Sequence, residues 1–216
     1  KLDLLKRYDV CVIDEIQMIA NTQRGQAWTR AVLGLSCPEI HICGAENARP
    51  LLLRILEDCG DQVEVIEYKR KTPLEVVDRP FTLERVEPGD ALVAFSKKRV
   101  LEMAAMYQSK GVRTSVIYGD LPPETRRMQY RDFLSGESKV LVTTDAIGMG
   151  VNLPIRRVVF TELTKFDGNE RRWLTSQEVK QIAGRAGRQG IYDVGYVAST
   201  EDYGAEFLRE CLETED

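Results

Sequence analysis

The sequence predicts an α/β protein with mainly parallel sheets in three layers, one partial and one complete, and three observations carry that prediction. Short apolar runs rich in Val and Ile recur along the 216 residues, helix-period segments alternate with them, and one stretch of prolines and basic residues divides the series in two. The apolar runs lie at 8–13, 40–43, 63–66, 91–95, 114–118, 140–144, 158–161 and 194–198. Their β-branched content suits parallel strands buried on both faces. Between them, 26–35, 50–59, 97–110, 122–134, 176–187 and 203–212 repeat apolar residues at helical spacing. Such alternation implies β-α-β units packed as a three-layer sheet.

The dividing stretch, 68–88, holds Lys69-Arg70-Lys71 and then Pro73, Pro80 and Pro88, after which Pro88-Gly89 opens a fresh series. The expected organisation is therefore a partial first domain at 1–70, a linker at 71–87 and a complete second domain at 88–216. No internal repeat or low-complexity tract interrupts it. The chain starts at Lys1 within a few residues of an expected buried strand, so it reads as a piece of a longer protein.

Charge excludes a broad electrostatic grip on nucleic acid. The formal net charge is -4, and dividing the chain after Glu75 leaves 10 basic against 12 acidic residues before it and 20 against 22 beyond. A nucleic-acid binder of this balance needs a local groove rather than a basic surface, with tight binding expected only alongside more protein or nucleotide. The five cysteines, at 11, 37, 43, 59 and 211, form no C-x-x-C pair, and His41 is the single histidine. That spacing argues against zinc and for reduced thiols of an intracellular protein, with Cys11 and Cys43 expected to be buried in their apolar runs. No stretch approaches the ~20 apolar residues of a membrane span, and no membrane partner is expected.

Three segments carry chemistry. Asp14-Glu15 follows an apolar strand, at the end where α/β sheets place ligand-handling side chains. Such a pair can divide labour: Asp14 holds magnesium, directly or through water, while Glu15 polarises the water attacking a γ-phosphate, and Gln17 senses that water or the phosphate. Near the other end, Gly184-Arg185-Ala186-Gly187-Arg188 sets two guanidinium groups three residues apart with glycines before each. Planar forks at that spacing suit one phosphate, in the manner of arginine fingers. Between them, 143–152 ends a strand with Thr143 and Thr144 and continues through Gly148, Gly150 and Asn152. Its hydroxyls and amides suit a sugar-phosphate backbone, and its glycines and Asn152 suit a nucleotide. In this order the three signals point to a nucleoside-triphosphate motor on nucleic acid.

Lesser candidates follow the same logic. Ser96 and Lys97 open a helix after a strand, where amides, hydroxyl and ammonium can meet phosphate or merely cap the helix. Tyr118-Gly119-Asp120 closes a strand before proline-initiated helix, and Asp167-Gly168 suits a hairpin turn that, in a motor, can touch the strand.

Asp14-Glu15-Ile16-Gln17, 144–150 and 181–188 resemble motifs II, V and VI of superfamily-two helicases. More narrowly, 8–19, 117–124 and 145–153 resemble DExH-type helicases of the suppressor-of-var family, the motors of mitochondrial RNA degradation, and their bacterial relatives. The resemblance runs over nearly the whole chain. It implies RecA-like domains, ATP and Mg2+ as cofactors, 3′ to 5′ translocation on single-stranded or 3′-overhanging RNA, and an exoribonuclease partner. By position it makes Asp14 and Glu15 the magnesium and water residues, Gln181, Arg185 and Arg188 the γ-phosphate sensors, Thr144 a strand contact, and Cys43-Gly44-Ala45 a coupling motif. It implies a bacterial cytoplasm or a mitochondrial matrix according to the source.

The loop G-x-x-x-x-G-K-[ST], which cradles β- and γ-phosphates, is absent from the 216 residues. The resemblance places it before Lys1, so little or no ATPase activity is expected of this chain alone. Two rivals remain at this point, a DNA translocase of the same superfamily and a non-catalytic nucleic-acid-binding scaffold.

Overall fold

A computed structural model describes residues 3–22, 24–68, 70–147 and 152–214. Contacts divide the chain into two compact units at the junction between Tyr68 and Lys69.

In the first unit, β1 (Val10–Ile13) and β2 (Glu39–Ile42) pair in parallel, as the crossover through α1 (Gly25–Gly34) requires. A 3-10 turn at Ile16–Ala20 follows β1, another at Glu46–Ala48 follows β2, and α2 (Arg49–Cys59) closes the unit. Pro50 in the first turn of α2 and Gly60 beyond its end, at φ 74°, mark where that helix starts and stops. Ile13, Ile16, Ala31, Val32 and Ala48 form its core, with Trp28, Ile42 and Leu52 packed around them. The strand expected at 63–66 is not formed. Val63, Val65 and Ile66 are exposed and pair with no described residue, and an apolar run without a partner's backbone makes no ladder. Cys43, expected to be buried, is exposed.

The second unit contains a six-stranded parallel sheet. Its strands are β3 (Leu74–Val76), β4 (Asp90–Val93), β5 (Thr114–Ile117), β6 (Val140–Thr143), β7 (Arg157–Phe160) and β10 (Gly195–Ser199), in the order β3-β10-β7-β4-β6-β5. A separate antiparallel hairpin joins β8 (Thr164–Phe166) to β9 (Arg171–Trp173). On one face α3 (Lys97–Ser109) packs through Val100, Met103 and Tyr107. On the other lie α4 (Pro123–Leu134), α5 (Ser176–Ala183) and α6 (Gly204–Glu213), whose Phe133, Val179, Ile182 and Leu208 meet Leu141, Val158 and Phe160. The three-layer α/β sandwich is thus present, and two of its inner strands, β4 and β6, are buried at every residue.

Two expectations need correction here. Residues 71–87 are no linker: β3 lies at the sheet edge, pairing Leu74 with Gly195 and Val76 with Val197. Val77, Phe81, Leu83 and Val86 then pack under the sheet beside α3. The prolines flank this strand rather than break it, which an edge strand tolerates, and three residues are too short to show a period. The helix expected over 176–187 ends at Ala183, because the chain turns through Gly184 and reaches the left-handed region at Gly187, φ 74°.

Asp90, fully buried in β4, is held by a bidentate bond from Arg157, Nε to Oδ1 at 2.9 Å and Nη2 to Oδ2 at 2.7 Å, while the Glu87 amide also donates to it. Removing one partner of such a pair strands the other in low dielectric. Asp90→Ala should therefore cost about 3–5 kcal/mol, read by urea denaturation. A loss under ~1 kcal/mol would show that the pair is dispensable.

Candidate active site

The carboxyl ends of parallel strands gather ligand-handling loops at one edge of a sheet, and Asp14, Glu15, Ser96, Lys97, Gly119 and Thr144 fall there, whereas the loop of Arg185 and Arg188 lies at the amino ends of β7 and β10. In the first unit, β1 delivers Asp14 and Glu15. Asp14 is exposed, with Oδ1 accepting the Glu15 amide at 2.8 Å and its carbonyl accepting Trp28 Nε1 at 2.8 Å. Glu15 sits at φ 54°, ψ 47°, the only non-glycine in the left-handed region among the described residues. Such a conformation is disfavoured for a side chain with a Cβ and persists only where surroundings fix it. Here the Ile16 amide donates to the Cys43 carbonyl at 3.0 Å and the Cys43 amide to the Ile13 carbonyl at 2.8 Å.

Gln17 is tied through its side-chain oxygen to the loop after β2. Its Oε1 accepts the Ala45 amide at 3.1 Å, and Gly44 lies so close that a Cβ there would stand 2.6 Å from that oxygen and 2.8 Å from the Ile16 nitrogen. The acid loop and 43–45 are therefore interlocked, and Gly44 is required by the approach. An exposed carboxylate at a strand end fits Mg2+, a hard cation that keeps waters and takes one or two carboxylates plus substrate phosphates. Among the described residues no cluster of three metal-ligating side chains offers a full protein cage, so Asp14 would hold the ion together with a nucleotide.

In the second unit, adjacency of β4, β6 and β5 sets Ser96-Lys97, Thr144 and Gly119 on neighbouring loops. Lys97 Nζ lies 4.8 Å from the Tyr118 ring centre, and Arg126 Nη2 ties the Gly119 carbonyl at 2.7 Å. Gly119 is exposed, with open space where a side chain would be. Ser96 Oγ accepts the Arg99 amide at 3.2 Å and so caps α3. Thr143 is wholly buried and donates to the Thr144 carbonyl at 3.0 Å, so this predicted strand contact belongs to the core. Thr144, only 8% exposed, uses its hydroxyl to accept the Ala146 amide at 3.3 Å. Gly148 and Gly150 lie outside the described residues.

Asn152 does meet the arginine segment. Arg188 Nη1 donates to the Asn152 carbonyl at 3.0 Å, and Asn152, Gly184, Arg185 and Arg188 line a cleft of about 160 Å³. Gln181 is exposed on α5, one turn before this cleft. At Gly187 a Cβ would stand 2.7 Å from both Gly195 Cα and Thr72 Cγ2, so the turn between the arginines is pinned against β10.

Residues that sequence reasoning missed hold these loops. Glu178 on α5 accepts both Arg172 Nη groups at 2.9 Å and Lys165 Nζ at 2.5 Å, tying the inner face of the hairpin to the helix, while Lys165 reaches Asp145 at 3.5 Å. Glu162 bridges the Phe95 amide and Arg171. The turn 167–170 is a four-residue loop in which Asp167 accepts the Asn169 and Glu170 amides, not a two-residue Asp-Gly turn. Thr175-Ser-Gln-Glu178 is a capping box legible in sequence, and it was the one available signal for Glu178.

Burial pushes the Glu178 carboxyl up, but hydrogen bonds from Arg172, Lys165 and the Thr175 amide bring it down to about 2. A depressed carboxylate contributes stability that is complete above its ordinary pKa of 4.5 and is lost as pH falls toward about 2. Glu178→Gln keeps the capping box but drops the charge. Its melting temperature should change less than wild type's between pH 5 and pH 3, by the equivalent of about 1 kcal/mol once solvent screening is allowed for. Parallel melting curves for the two proteins would contradict that.

The first unit thus carries an acid pair at the end of a parallel strand, and the second a paired-arginine loop on a parallel α/β sheet. Residues 73–190 match the family described as helicase conserved C-terminal domain, and the chain belongs to that family. The chain also matches, over residues 1–68, the DEXQ-box helicase domain of Suv3. It is 43% identical over 217 aligned residues to the mitochondrial ATP-dependent RNA helicase SUV3 of Candida albicans, covering 99% of this chain and 30% of that protein. It is 42% identical to human mitochondrial ATP-dependent RNA helicase SUPV3L1, covering 95% and 27%. The chain thus spans under a third of these relatives' length. Saccharomyces cerevisiae Dbp5 bound to RNA and ADP BeF3 shares the RecA-like fold at TM-score 0.67 and 17% identity, over 96% of this chain and 58% of that one.

Proposed function

We propose that the protein bearing these residues is an ATP-dependent RNA helicase that translocates 3′ to 5′ and unwinds RNA during its degradation. The observation that carries this reading is the Asp14-Glu15 pair, with Glu15 held in a strained conformation against the Cys43-Gly44-Ala45 loop, on a chain of Suv3 type. Mg2+ with ATP would supply charge neutralisation on the phosphates. Asp14 would hold that ion, Glu15 would take a proton from the attacking water, and Arg185 and Arg188 would meet the γ-phosphate. Gln181 would support them from α5, and Asn152, Gly148 and Gly150 would face nucleotide. Gln17 would link the acid loop to Ala45 through Oε1 and offer its side-chain NH2 to the attacking water or the γ-phosphate. Lys97, Gly119 and Thr144 would meet the RNA backbone, with Ser96 offering its helix-start amides.

An exoribonuclease is the partner this reading implies, in the matrix of the mitochondria that the relatives' names mention or the cytoplasm of a bacterium. The 216 residues carry no phosphate-cradling loop, so turnover needs the full-length protein. The test is its ATP hydrolysis without nucleic acid, with single-stranded RNA, and with matched DNA. Stimulation by RNA upholds the reading, equal or greater stimulation by DNA replaces it with a DNA translocase, and no turnover replaces it with a scaffold. Duplexes with 3′ or 5′ overhangs then decide direction.

A further inference from the structure

Arg70 lies two residues beyond the junction of the units and belongs to the second. Its Nε donates to the Thr72 carbonyl at 2.5 Å, its Nη1 to the Gly184 carbonyl at 2.8 Å, and its Nη2 to the Ala186 carbonyl. Those last two carbonyls flank Arg185. The guanidinium has no carboxylate partner among the described residues, and its cation is spent wholly on backbone. Thr72, just after it, packs where a side chain on Gly187 would stand, so the same segment also closes the turn that presents Arg188.

We propose that Arg70 is a positioning residue for the arginine pair: by clamping the carbonyls on either side of Arg185 it sets the direction of both guanidinium groups. Only a fork with donors in three directions can do this. A lysine ammonium is a point charge and cannot span Thr72, Gly184 and Ala186 together. The inference rests on the reading that Arg185 and Arg188 meet the γ-phosphate. A role confined to capping the end of α5 would affect stability without favouring kcat over KM.

The experiment measures RNA-stimulated ATP hydrolysis and melting temperature in the full-length protein for wild type, Arg70→Ala, Arg70→Lys and Arg188→Ala. Arg70→Ala is expected to lower kcat about tenfold or more with KM for ATP changed less than about twofold. Arg70→Lys should not restore it, whereas millimolar guanidinium should restore part of it in Arg70→Ala and none in Arg188→Ala. Unchanged kcat in Arg70→Ala, or a fall matched by lost thermal stability and insensitive to guanidinium, overturns the inference. If Arg188→Ala turns over like wild type, the reading of the arginine pair itself fails. If Arg188→Ala is slow while Arg70→Ala is not, only the role of Arg70 fails.

Discussion

Glutamine in place of Glu15 should leave ATP binding intact and lower RNA-stimulated hydrolysis by the full-length protein about 10²–10⁴-fold, the usual worth of a positioned general base. The amide keeps size and hydrogen-bonding reach, so the backbone bonds that hold the residue at φ 54° survive. What disappears is the group able to accept a proton from water. Nucleotide affinity, measured by titration with a fluorescent ATP analogue, should stay within about threefold, since no binding contact is removed. A variant that hydrolyses ATP at the wild-type rate would show that Glu15 is not the base.

Arg188→Ala should lower kcat about 10³-fold or more, the scale of losing an arginine finger. Arg188 is held in readiness by the Asn152 carbonyl at 3.0 Å, and the Gly187 turn that aims it cannot accept a side chain. Single-turnover kinetics separates this from a binding defect: the hydrolysis step should slow while ATP affinity moves little. A pure rise in KM would assign Arg188 to ground-state binding instead.

The sheet was legible because its strands are saturated with Val and Ile and separated by periodic helices, as at Ala91–Val93 and Val140–Val142, each fully buried or nearly so. Leu74–Val76 escaped detection because three residues between prolines carry no period, and its place in the sheet comes from β10, over a hundred residues away. Val63–Ile66 misled for the opposite reason: local composition suits a strand, but pairing is a property of neighbours. The candidate site was legible where chemistry is compressed into a short motif, as in Asp14-Glu15 and Gly184–Arg188. It was illegible where a distant side chain holds that motif, as Arg70 and Glu178 do, because ordinary Arg and Glu at those positions look like solvated charges. Thr143 shows the remaining failure: it ends a strand covered by helices on both faces, so its hydroxyl is enclosed whichever way it points.

Glu178 draws the two basic residues of the hairpin's inner face onto the helix that leads into the arginine loop. Hairpin and helix consequently form one lever. A small rotation of α5 as the arginines engage or release phosphate would not be absorbed at the joint but delivered to the turn end of β8 and β9, where Phe166 stands exposed. A chemical event at one side of the unit would thereby become displacement at the other without any intervening loop having to fold.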